Sequence, residues 1–110
     1  MSAEEETPID RLFDALGVRS RRAIIDLLAA TPCSVSDLAE ALGMTKTAIG
    51  QHIVVLEKSR MIVTEKKGRT RMCRIDPAGF ALLSDWIASH RDHWQSSLDR
   101  LDAFMDRPEN

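Results

Sequence analysis

Residues 34–56 read SVSDLAEALGMTKTAIGQHIVVL, and this stretch decides the fold. Ser34 is a polar residue suited to capping, and Asp37 follows three places later, close to a capping box. A short apolar-patterned helix then runs to Leu42. Gly43 closes it, at the position where a left-handed conformation is cheap only for glycine. Thr45 caps the next helix at once. Two short helices joined by a glycine-containing turn of a few residues predict a helix-turn-helix.

The second of these helices, residues 45–58, has an unusual wet face. At ~100° per residue, Ile49, Ile53 and Leu56 fall together and face a core. Thr47, Gly50, Gln51 and Val54 fall on the opposite side, with Lys46 at the entry and Lys58 at the exit. A face built only for solubility more often carries Glu and Lys. Short polar and amide groups are what meets base edges in a major groove. Gln51 suits an adenine edge, and the methyls of Thr47 or Val54 suit a thymine methyl. Gly50 lets the backbone come close, and Lys46 reaches a phosphate from the first turn.

The chain beyond this helix supplies a second half. Met61 to Lys66 is strand-like by β-branched content, Lys67-Gly68 predicts a turn, and Arg69 to Ile75 alternates as a half-buried strand does. The tip carries Lys66, Lys67, Arg69 and Arg71. A basic hairpin alone is usually only an exposed turn. Directly after a helix-turn-helix it predicts a winged helix, with the basic wing 65–71 on the backbone or in the minor groove.

Charge is distributed to match. The formal net charge is -2. Residues 44–74, however, hold eight basic side chains and two acidic ones (Glu57 and Glu65), a balance of +6, while 1–43 and 75–110 each carry -4. Positive charge is gathered where a phosphate backbone would be met.

Around this centre the pattern is helical. Thr7 caps a first helix with Pro8 at its first position; Ile9, Leu12, Phe13 and Leu16 mark one face, and Gly17 ends it. Ser20 to Ala30 form a second helix with Ile24, Leu27 and Leu28 inward, stopped by Thr31-Pro32. Asp76-Pro77 opens a long last helix reaching Met105. The predicted fold is mainly α with a small β-hairpin, in the order α-α-α-α-β-β-α. One domain, 7–106, is flanked by a disordered tail at 1–6 and a short tail at 107–110. The 110 residues are 29% charged and 44% hydrophobic, as in a folded soluble domain. Without a secretory signal or an apolar run near the ~20 residues needed to span a bilayer, a cytoplasmic location is expected and no membrane role.

The stretches RSRRAIIDLL, SVSDLAEALGMTKTAIGQHIVVLEKSRMI and GRTRMCRIDPAG resemble the ArsR (arsenic-repressor-type) family of bacterial winged-helix transcription regulators. The resemblance runs from about Ile9 into the last helix. It implies a homodimer joined through the first and last helices, on an operator of dyad symmetry, with DNA contacts at Lys46, Thr47, Gly50, Gln51 and His52. Many relatives carry Ser where this chain has Gly50, so one hydroxyl contact is missing. The composition of the last helix points the same way. From Trp86 to Met105 it carries more apolar surface than so small a domain buries against itself, and a two-fold partner would cover it. Leu12, Phe13, Trp86, Trp94, Leu98 and Leu101 are therefore the expected dimer contacts.

No sensor site is expected. Metal-sensing relatives use a Cys-x-Cys pair on the third helix; Ser34 and Ser36 stand at those positions, and Cys33 is alone beside them. His90 and His93 share a face but lack the two-cluster spacing of the other metal site. Redox-active relatives place their cysteines on the second and last helices, whereas Cys73 is in the hairpin. With no nucleophile–base pair, paired carboxylates or phosphate loop, the chain is not an enzyme and needs no cofactor. The reading is a dimeric DNA-binding regulator and repressor. The alternatives are a winged-helix protein-interaction module, against which the charge cluster argues, and a thiol- or metal-responsive version of the same repressor.

Overall fold

A computed structural model describes residues 5–106. The chain forms α1 (Pro8–Leu16), α2 (Arg19–Ala30), β1 (Cys33–Ser34), α3 (Val35–Leu42), α4 (Lys46–Lys58), β2 (Ile62–Lys67), β3 (Thr70–Ile75) and α5 (Pro77–Met105). This is the predicted order with one addition. Cys33 and Ser34 pair with Cys73 and Met72, so the sheet has three antiparallel strands in the order β1-β3-β2. Two residues show no periodicity in a sequence, which is why β1 was not expected.

The core forms where the helical stripes converge. Leu12 and Ala15 of α1, Ile24, Ile25 and Leu28 of α2, Leu38 of α3, and Ile49, Ile53 and Leu56 of α4 are buried together, with Met61, Ile62 and Cys73 from the hairpin base. Leu12 is therefore not a dimer contact: it is 0% exposed within a single protomer. One residue along a helix is a rotation of ~100°, so where Leu12 turns inward Phe13 turns toward α5. There its ring meets Trp86 edge-on, at a centroid distance of 5.0 Å.

The expected tails lie mostly outside the described residues. Glu6, within them, ion-pairs with Arg11 at 3.4 Å and so is not a free tail residue. α5 runs for 29 residues, yet its one fully buried residue is Gly79. Trp94, Leu98 and Leu101 stand 45%, 55% and 52% exposed. Among the described residues no helix is long and apolar enough to cross a membrane.

Candidate nucleic-acid interface

Local hydrogen bonds fix the helix-turn-helix. The Ser34 hydroxyl accepts from the Asp37 amide at 3.0 Å, and the Asp37 carboxylate accepts from the Ser34 amide at 3.2 Å, a complete capping box. Gly43 ends α3 at φ 62°, in the left-handed region. Two residues later the Thr45 hydroxyl accepts from the Ala48 amide at 3.1 Å, which sets the first turn of α4. The turn is short because each helix end is satisfied within it.

α4 then presents the face the sequence predicts. Ile49, Ile53 and Leu56 are 0%, 2% and 0% exposed. Lys46, Thr47, Gln51 and Val54 are exposed on the other side, and Gly50 is half-buried at its edge. A Cβ added at Gly50 would meet nothing within 4 Å. A groove of about 500 Å³ opens between α4, the start of α3 and the wing, and Ser36, Lys46, Gly50, Val54, Arg69 and Arg71 line it. The helix face and the basic hairpin therefore border one depression. Thr47 and Gln51 lie beside it on the exposed surface. Ser36 was missed from sequence; its place on the first turn of α3, two residues after the cap, was the available signal.

The wing differs from expectation by one residue. Lys67 pairs with Thr70, so the loop is Gly68-Arg69 and Arg69 occupies its tip. Gly68, at φ 64°, is the first loop residue, where this hairpin type requires glycine. Lys67 and Arg69 are exposed, and neither they nor Lys46 forms an ion pair among the described residues. Arg71 is different: its guanidinium donates to Glu57 on α4 at 3.1 Å. Its charge is partnered within the chain, unlike those of Lys67 and Arg69.

His52 stands at the other edge of α4 from the groove. On the helical wheel it lies ~60° from Ile49, on the side of α4 away from Gly50. It is half-buried, and its pKa is held below the ordinary value by burial first and by the Arg21 guanidinium second. It lies near Arg21 of α2 and, like Thr47 and Gln51, is not among the residues lining the groove.

The two cysteines are directly opposite one another in the β1–β3 pair. Burial pushes the Cys73 thiol up to about 11, and burial, then Asp37, raises that of Cys33. Thiols held protonated are poor nucleophiles. His90 stacks on Trp86 at 4.3 Å and donates from Nδ1 to the Trp86 carbonyl at 2.8 Å. Among the described residues no three His, Cys, Asp or Glu gather as a metal would need.

Known proteins share this arrangement. The profile described as bacterial regulatory protein, arsR family, matches residues 19–64, which span α2 to the middle of β2. The HTH-type transcriptional regulator Rv2034 of Mycobacterium tuberculosis is 38% identical over 74 residues, 67% of this chain and 69% of that protein. The chain belongs to the ArsR family. The crystal structure of the ArsR family transcriptional regulator RHA00566 superposes with a TM-score of 0.76 at 34% identity, covering 86% of this chain and 98% of that one. A homodimeric winged helix-turn-helix DNA-binding domain from Mycobacterium bovis, Mb0332, has the same fold at a TM-score of 0.63 and 24% identity, over 84% of this chain and 95% of that one. Like its relatives in the family, this protein is a winged helix-turn-helix transcriptional regulator and not an enzyme.

Proposed function

We propose that two copies of this chain bind a DNA operator of dyad symmetry and repress transcription by occupying it. The N-terminal half of α4 enters the major groove, where Thr47, Gln51 and Val54 meet base edges and Gly50 allows close approach. Lys46, with Lys67 and Arg69 of the wing, holds phosphates or enters the minor groove. One observation carries this reading: an exposed, uncharged helix face borders the same groove as Lys46 and Arg69, which form no ion pair among the described residues.

The dimer rests on α5. Its half from Trp86 onward exposes two aromatic and two leucine side chains, and the Cα radius of gyration is 19.3 Å, where a compact chain of this length has ~13 Å. A second copy pairing along α5 and Phe13 would cover that surface, and Mb0332, which shares the fold, is described as homodimeric. It would also set two recognition helices about one turn of DNA apart, ~34 Å. Selection of bound sequences from a random duplex pool tests both halves. Enrichment of an inverted repeat with half-sites ~10 bp apart is expected; recovery of an unenriched pool sinks the proposal.

A further inference from the structure

Glu57 is out of place by every local rule. It lies in the last turn of α4, where the helix dipole disfavours a carboxylate. It is one of only two acids in the basic stretch 44–74, close to where phosphates are proposed to lie. A residue disfavoured twice over needs a compensating contact, and Glu57 has two. Its Oε2 accepts from the Thr64 hydroxyl of β2 at 3.1 Å, and its Oε1 accepts from the Arg71 guanidinium of β3 at 3.1 Å. One carboxylate thus ties both strands of the wing to the end of the recognition helix. Among the described residues these are the two side-chain hydrogen bonds that join the hairpin to α4.

The bracket answers a mechanical need. The hairpin is anchored at its base by Ile62 and Cys73, but every residue from Glu65 to Arg71 is exposed. A two-stranded ribbon without further support is at best marginally rigid. If α4 and the wing are to meet one duplex together, their relative angle must be held before binding, or ordering the wing subtracts from the affinity.

We infer that Glu57 is a positioning residue, which with Thr64 and Arg71 sets the wing against the recognition helix, and that Arg71 serves this bracket instead of a phosphate. The inference rests on the DNA-binding reading for its purpose, though not for its existence. It reverses the expected sign of a substitution. Were Glu57 only a negative charge near DNA, Glu57→Gln would tighten binding by removing repulsion. As a bracket, Glu57→Gln loosens the wing and weakens binding.

The experiment has two arms on the full chain. Without DNA, backbone 15N relaxation should show residues 66–70 more mobile in Glu57→Gln than in wild type; unchanged mobility overturns the bracket whatever DNA does. With the selected operator, Glu57→Gln and Arg71→Ala should each weaken binding about 3- to 20-fold for the two wings of a dimer, and the double variant should be no weaker than Arg71→Ala. Arg71→Ala should leave the slope of log affinity against log salt unchanged, while Arg69→Ala flattens it by about one unit per copy. Tighter binding by Glu57→Gln, or a flattened slope in Arg71→Ala, overturns the assignment. Failure of wild type to bind any duplex would instead overturn the DNA-binding reading, and the mobility arm would still decide the bracket.

Discussion

Replacing Leu98 with alanine should weaken self-association by roughly 15- to 200-fold and leave the protomer folded. The side chain is 55% exposed in one protomer and lies on the part of α5 that contributes nothing to the buried core. Full burial of a leucine contributes ~1.5–3 kcal/mol. Covering only the exposed half contributes ~0.8–1.6 kcal/mol, and a two-fold interface counts each substitution twice. The resulting ~1.6–3.2 kcal/mol converts to the stated range at ~1.4 kcal/mol per tenfold. Sedimentation equilibrium over a range of protein concentrations measures the dimer constant directly, and circular dichroism checks the helices. A dimer constant within twofold of wild type would refute the reasoning, because Leu98 would then face solvent in the dimer as well. Loss of fold would refute it differently, by showing that α5 beyond Trp86 supports the protomer core.

Three further outcomes follow from the recognition surface. Gln51→Ala should relax preference at one base pair per half-site, by ~1–3 kcal/mol; equal loss on specific and random duplexes, measured by competition, would remove Gln51 from base contact. Gly50→Ala should raise stability by ~0.5–1 kcal/mol, because a glycine in a helix interior is unfavourable and the new Cβ meets nothing within 4 Å. The same variant should bind operator more weakly, and unchanged affinity would mean that the backbone does not approach the DNA there. Because the folded-state pKa of His52 is depressed by burial and Arg21, the unfolded chain takes up that proton first as pH falls. Stability should therefore drop below about pH 6.5 and level off below the folded-state value, and His52→Gln should flatten that part of the denaturation profile.

How far the sequence carried the fold depended on whether a feature was local. Ser34, Gly43 and Thr45 act on their own neighbours within three residues, so the helix-turn-helix was legible from them. The face of α4 was legible too, since Ile49, Ile53 and Leu56 obey one period. Tertiary choices were not. A stripe of Leu12 and Phe13 does not say which turns inward, because that depends on where α5 crosses. β1 is two residues long, and only its pairing with β3 makes it a strand. The turn could be placed by composition at Lys67-Gly68, but register moved it to Gly68-Arg69. Arg71 read as free positive charge, since nothing in the sequence announces that a carboxylate fourteen residues earlier would meet it.

The most direct test of the account is the affinity of the wild-type protein for duplex DNA as salt is varied. Lys46, Lys67 and Arg69, which form no ion pair among the described residues, make three cations per protomer and six in a dimer, and each displaced counterion contributes about -0.9 to the slope of log affinity against log salt, so the account predicts a slope near -5. A slope close to zero, or no binding at 50 mM salt, would contradict it.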